Sequence, residues 1–276
     1  MKLNLFLIFA LSTNLGMAQS LSYMADNTNK ERKLIPYQYP RCADVAWEKV
    51  IWRLVDLNEK QNQYLYYPIE PTANYHSLIS ALIDLVQQKG INLYSEAPDE
   101  AQAQTVTKAD MNARLGANIK IITPDAVGYE DSGIVVETPY DLSEIKRLLI
   151  KEVWFFDRER SVLDTRIVAL CPVREYFREE DTDQEQPLYK KIAWFYYPEI
   201  EPKLANYTPM PGDNLAQPLS FADIFRQRQF KGHIVQISNM YDNRPISDYL
   251  VGNEALQESD RIEETIRKFE EDLWSN

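Results

Sequence analysis

The chemistry this chain could perform rests on few candidates: two histidines, two cysteines, several acidic groupings and one spaced pair of glycines. Serine-hydrolase logic requires a nucleophile, a base and a group that orients the base. No Gly-x-Ser-x-Gly string is present to supply the nucleophile. The only histidine bases are His76, inside a helical pattern, and His233, near the end of another, and both settings suit structural histidines. Cys171 precedes Pro172 in an apolar run, which raises a thiol pKa and dulls the nucleophile. Gly128 and Gly133 have the spacing that opens a phosphate loop, but Ile134 and Val135 stand where lysine and serine or threonine are required. Asp181, Asp183 and Glu185 alternate like the start of a calcium loop. Gln186 occupies the position that needs glycine, and Ile192 the position of the bidentate glutamate, so a solvated acidic loop is the better reading. A glycosidase needs only two carboxylates across a cleft, and spacing singles out no pair among 42 acidic residues. Trp154 and Trp194 lie in strand patterns and read as core before they read as sugar platforms. The residues therefore define no catalytic centre, cofactor site or metal site, and point to binding or structural work.

The composition agrees. The chain has 276 residues, 45% of them apolar, and a net charge of −12. Such an acidic chain lacks the cationic face that phosphate attraction demands, which argues against nucleic acid as a partner. Residues 1–18 have the form of an export signal: Lys2, then a mostly apolar stretch from Leu3 to Leu11, then Gly16-Met17-Ala18 before Gln19. Losing Lys2 with it leaves 29 basic against 42 acidic side chains, a net charge of −13. No later run approaches the roughly 20 apolar residues of a membrane span. In an oxidising compartment Cys42 and Cys171 could form a disulfide closing a loop of about 130 residues, or stay as two thiols, and sequence leaves both open.

The pattern predicts an α+β fold, an antiparallel sheet meander packed with helices plus a C-terminal helix. Residues 19–41 read as an extended arm marked by Pro36 and Pro40. A core domain follows over 42–235, with an excursion at about 95–140, and then a loop and C-terminal helix over 236–276. Trp47, Val50, Ile51, Leu54 and Val55 recur at helical spacing, with Asp44 as a cap. A second helix is expected from Tyr75 to Gln88, stopped by Gly90. Leu65-Tyr66-Tyr67-Pro68 reads as extended, and short strands are expected at Ile119–Thr123 and Ile134–Glu137. Asp141 to Ile150 looks like a capped helix. Strands are expected at Val153–Asp157, Leu163–Leu170 and Lys191–Tyr197, the first two joined as a hairpin by Arg158 to Ser161. Phe221 to Phe230 reads as a helix, and so does Glu254 to Trp274. In the latter, Ile262, Ile266, Phe269 and Leu273 form a narrow apolar stripe. Tyr66-Tyr67-Pro68-Ile69-Glu70-Pro71 is echoed at Tyr196 to Pro202, each copy expected where a strand leaves the core.

A series of strings in order carries a resemblance. It begins with Ala43-Asp44-Val45-Ala46-Trp47-Glu48-Lys49-Val50-Ile51-Trp52-Arg53, and continues through Asp56 to Asn62 and Leu65 to Pro68. It goes on through Trp154-Phe155-Phe156-Asp157-Arg158-Glu159-Arg160-Ser161, Cys171-Pro172, Trp194 to Pro198 and Phe221 to Phe225. It ends with Asn239-Met240-Tyr241-Asp242-Asn243-Arg244 and Phe269 to Trp274. This series resembles the gliding motility protein N family (GldN/PorN), from about residue 40 to the end. The resemblance implies a non-enzymatic component of the type IX secretion and gliding machinery of Bacteroidetes. It implies a place in the periplasm at the inner face of the outer membrane, without a membrane span of its own. It implies a ring of copies built with an outer-membrane lipoprotein, the K component, and contact with the periplasm-spanning M component. The family brings no catalytic residues and no cofactor. The partner contacts are then expected at Tyr37 and Tyr39 of the arm, at Tyr241 and Arg244, and at Ile262, Ile266, Phe269 and Trp274. The second reading is a glycan-binding or glycan-cleaving protein, which would expose Trp154, Trp194, Tyr64 and Tyr66 together over a carboxylate pair.

Overall fold

The computed structural model describes residues 33–72, 74–122, 134–138, 140–177, 187–210 and 219–275. In chain order the elements are β1 (Val45–Asp56), α1 (Gln63–Tyr66), α2 (Leu78–Lys89), β2 (Leu93–Tyr94), β3 (Thr105–Val106), α3 (Lys108–Leu115), β4 (Asn118–Ile122) and β5 (Ile134–Thr138). There follow β6 (Arg147–Asp157), β7 (Val162–Tyr176), β8 (Leu188–Lys191), β9 (Trp194–Tyr196), α4 (Tyr197–Leu204), α5 (Phe221–Arg226), β10 (His233–Ile237) and α6 (Asn253–Ser275). An eight-stranded sheet runs β10-β1-β6-β7-β9-β2-β3, with β8 also on β7. Every pairing in it is antiparallel. The fold is α+β, as the sequence pattern predicts, and β6, β7 and β9 form the expected meander. β4 and β5 pair separately, at the two places where the excursion shows β-like pieces.

The helix expected after Asp44 is instead β1, the second strand of the sheet. A strand buried on both faces puts apolar residues at neighbouring positions and so imitates helical spacing. Ile51 and Val55 face one side, and Val50, Trp52 and Leu54 the other, while the backbone pairs with both β6 and β10. The helix expected from Asp141 to Ile150 is also corrected. Asp141 does cap, accepting from Ser143 N at 2.8 Å. The helix lasts one turn, Leu142–Glu144, before β6 begins at Arg147. The strand ladder to β1 along all of β6 outweighs a single cap.

Other boundaries follow from local chemistry. α2 starts at Ser77, whose hydroxyl accepts from Ser80 N at 3.2 Å, and stops at Gly90 in the left-handed region, φ +62°. His76 therefore precedes the helix, and His233 lies in β10 rather than at a helix end. Leu65-Tyr66 belongs to the one-turn α1, so the aromatic string is not extended throughout and the two echoed strings share no structure. The strand expected at Lys191–Tyr197 is split into β8 and β9. The break lies against Pro172 of β7, which has no N–H to offer a ladder, and Ile192 N donates to the Pro172 carbonyl instead. α5 ends at Arg226, short of Phe230, because Arg228 turns left-handed at φ 51°.

One face of the sheet carries the main core, where Val55, Leu148, Ile150, Leu170 and Phe195 meet α2, α4 and α5. Farther along the same face, Ile51 and Ile234 meet Ile262 and Ile266 of α6. The other face holds Trp52, Leu149, Cys171, Val173 and Trp194 with Ala97 from the segment before β3. Lys151 is buried there over the Trp52 ring and reaches Asp99 and Glu100, each at 2.9 Å. Gly232 enters β10 pressed against β1. A Cβ added to it would stand 2.6 Å from the Leu54 carbonyl oxygen and 2.8 Å from Val55 Cγ2. Gly232→Ala is accordingly expected to lose about 1–3 kcal/mol, because the obstacle is backbone. Thermal denaturation checks this, and an unchanged midpoint would contradict the packing.

Candidate functional site

The expected contact residues fall into two groups, at different places on the sheet. Tyr241, Arg244 and Ile262 line one depression, with Ile237, Asn239, Tyr249, Glu258 and Arg261. Ile262 and Ile266 are buried under α6, and Phe269 stacks on Trp47 at 4.9 Å between ring centroids. Those three apolar residues bind the helix to its own sheet. Trp274 lies within α6, and its side chain is outside the described residues.

α6 stands where it does because three kinds of bond converge. The apolar stripe supplies the first. Ser259, itself buried, supplies the second by accepting from Ile234 N at 2.7 Å. That amide belongs to the edge strand β10, so the helix satisfies a donor that an uncovered edge would present to other chains. The third is ionic. On β1 the side chain between Ile51 and Val55 is Arg53, and beside it lies Glu152 of β6, 0% exposed. Glu152 accepts from Arg228 at 3.0 and 3.1 Å and from Trp154 Nε1 at 2.9 Å, and lies 3.7 Å from Arg53 Nε. Arg53 also bonds Glu263 of α6 and the Gly232 carbonyl. A buried ionic cluster thus sits between the main core and the α6 core.

The loop before α6 is built to hold its shape. Asp242 and Asn243 are both left-handed, φ 58° and 54°, a conformation that non-glycine residues seldom adopt. Asn239 donates to the Ile237 and Arg244 carbonyls and accepts from Tyr241 N. Asn243 accepts from Asn239 N, and its carbonyl accepts from Gln236. Arg244 donates to the Asp248 carbonyl and lies over the Tyr249 ring at 4.9 Å. These bonds hold Met240 and Tyr241 in water, 89% and 72% exposed; the half-exposed Tyr249 shares the depression with Tyr241, and farther along the chain Val251 is 76% exposed and Leu256 about half. Rigid exposed apolar and aromatic groups with an adjacent arginine are the composition of an interaction patch. Sequence reading found Tyr241 and Arg244 but missed Met240, Tyr249, Val251 and Leu256. The Asx-rich string Asn239 to Arg244 was the signal that the loop is shaped rather than slack.

Tyr37 is elsewhere. Its ring lies between the guanidinium groups of Arg166 and Arg226, at 4.1 and 4.4 Å. Arg226 also donates to the Ile35 carbonyl at 2.7 Å and to Glu201 at 2.7 Å. Burial, with the Glu201 charge adding to it, pushes the Tyr37 hydroxyl up to about 12. This end of the arm is fastened to its own domain, while Tyr39 is 93% exposed. Beside it runs the outer edge of β7, beyond the reach of β9. There Thr165 N donates to Asp164 and the Thr165 carbonyl accepts from Arg166, so that strand edge is blunted by its own side chains.

Cys42 and Cys171 are free thiols, the first exposed and the second buried. Cys42 lies near the Asp157 end of β6, where Arg158 N donates to Asp44, and Cys171 pairs with Leu149. From Leu149 to Asp157 a strand rises on the order of 25 Å, far beyond the Cα separation of roughly 7 Å that a disulfide tolerates. The disulfide left open by the sequence is therefore not formed. Burial pushes the Cys171 thiol up to about 12. A maleimide is expected to label Cys42 within minutes in the native protein and Cys171 only in denaturant. Labelling of both at equal rates would contradict the burial.

The glycan reading asked for Trp154, Trp194, Tyr64 and Tyr66 exposed together. Trp194 and Tyr66 are buried in different cores, and Trp154 lies under α6. They form no common platform. Burial lowers the pKa of both His76 and His233, and His76 packs edge-on against Tyr207. Among the described residues no grouping of His, Cys, Asp and Glu could hold a metal ion, and no helix is long and apolar enough to cross a membrane. The expected export signal, the Gly128–Gly133 pair and the acidic string from Asp181 lie outside the described residues.

A family model described as gliding motility associated protein GldN matches residues 40–275. No curated protein matches the chain. The match begins just before β1 and ends at the last turn of α6, so it takes in the sheet, the shaped loop and the helix together. The chain belongs to the GldN family, whose members are associated with gliding motility and type IX secretion.

Proposed function

We propose that the protein is a non-enzymatic periplasmic scaffold of the type IX secretion and gliding machinery. In this reading it builds a large ring with an outer-membrane lipoprotein, the K component, at the inner face of that membrane, and it contacts the periplasm-spanning M component. The observation that carries the reading is the rigid exposed patch at 239–256 within a chain matched by the family from one end of the sheet to the other. A scaffold needs preformed contact surface more than it needs a cleft. The net charge of −12 fits a partner with a basic contact face. The domain division follows the same logic: the sheet and its helices form the body, and the segment from 236 onward presents the contacts.

The test is extraction of tagged protein from native membranes in mild detergent, with particle mass and co-purifying proteins measured. A megadalton-scale particle containing one outer-membrane lipoprotein is expected. A monomer of subunit mass that survives gentle extraction alone would overturn the reading.

A further inference from the structure

The two flanks of α6 differ in a complementary way. On one flank the loop holds out Met240 and Tyr241, and beside them Arg244, which makes no ion pair among the described residues. On the other flank a groove of about 400 Å³ runs between α6 and the sheet. Its floor on the sheet is apolar, Trp154, Leu163 and Ile234, and Ile266 faces it from α6. Its helix wall includes Asp260 and Glu270, two carboxylates without a cation partner among the described residues. The loop thus offers two apolar side chains and an unpaired cation. The groove offers apolar contact, two arginines already paired within the chain (Arg53 with Glu152 and Glu263, Arg267 with Glu264 and Glu271), and two anions left over.

We propose that the occupant of this groove is the 239–244 loop of a second copy. Within one chain the two surfaces lie on opposite flanks of α6, so they meet only between copies. Each copy then gives its loop to one neighbour and receives the loop of another. That contact is heterologous, and repeated with a constant rotation it closes a ring or runs on as a filament. The shape of the loop before contact limits the ordering cost of the interface. The proposal rests on the scaffold reading above and adds the surfaces by which copies join.

Site-directed cross-linking in the native particle tests it. In a Cys42→Ser background, Met240→Cys and Asp260→Cys are made singly and together, leaving buried Cys171 in place. Mixed single variants are expected to give a disulfide-linked dimer on mild oxidation, and neither alone should do so. The double variant should give a ladder of oligomers. Arg244→Glu should lower the ladder at least ten-fold, and Glu270→Arg should restore part of it. A megadalton particle without the mixed cross-link, or with Met240→Cys linked only to itself, would overturn the proposal and leave the scaffold reading standing. If no large particle forms, the scaffold reading falls. Mixed single variants of the purified subunit at high concentration then decide the loop-to-groove contact, and absence of the link overturns it.

Discussion

Glu152→Ala is expected to destabilise the protein by about 3–5 kcal/mol, because it breaks a buried ion pair and leaves Arg53 with only the half-exposed Glu263. Glu152 is fully buried and bonds Arg228 and Trp154, with Arg53 next to it. Removing it leaves Arg228 and the Trp154 indole without their acceptor, and leaves Arg53, which the sheet and α6 keep from water, with Glu263 alone. For a domain of this size the loss corresponds to a fall in thermal midpoint on the order of 10 °C. Glu263→Gln is the control. Glu263 meets the same Arg53 but is nearly half exposed, so its loss should cost only about 0–1 kcal/mol. Urea unfolding of both variants checks this. Equal effects would mean that the cluster does not hold the junction between the two cores.

The second large effect is expected from Ile262→Asp combined with Ile266→Asp. Both side chains are buried against the sheet. Each loses about 1.5–3 kcal/mol of apolar burial, and each new carboxylate would have to enter an apolar contact without a partner. The helix is then expected to leave the sheet. Ser259 would no longer cap Ile234 N, and β10 would become an open edge. Trypsin should cut at Arg261 and Arg267 on the order of a hundred-fold faster, while the Cys171 side of the sheet keeps its protection against thiol reagents. Unchanged cleavage would show that the stripe does not dock the helix at home.

Why some of the fold was legible in the sequence and some was not has a physical basis. The hairpin of β6 and β7 announced itself through a short charged turn between two apolar runs. α2 showed its stop at Gly90, while its start, capped by Ser77, lies later than the expected Tyr75. β1 was hidden because burial on both faces erases the alternation that marks a half-buried strand. β6 was hidden behind a genuine cap at Asp141 that serves only one turn. The split of β8 from β9 was visible in principle, since Pro172 cannot donate to a ladder. Of the residues expected to meet a partner, Tyr241 lies in water and Arg244 beside it, while Ile262 and Ile266 of the α6 stripe are buried against their own sheet. Glu152 and Arg53 were not legible, because nothing local tells a buried ion pair from a solvated one. Tyr37 was expected to face a partner, yet its ring lies between two arginines from distant parts of its own chain.

In the scaffold proposed above, the protein meets its partners through the end of the sheet where α6 and the 239–256 patch lie. Photo-cross-linking in living cells tests it most directly. A photoreactive residue is placed at Tyr241 or Tyr249 on that end, and at Tyr189 of β8 as a half-exposed control. Cross-links to another copy or to the outer-membrane lipoprotein are predicted from 241 and 249 and not from 189. Efficient cross-links from 189 with none from 241 or 249 would place the working surface elsewhere on the sheet.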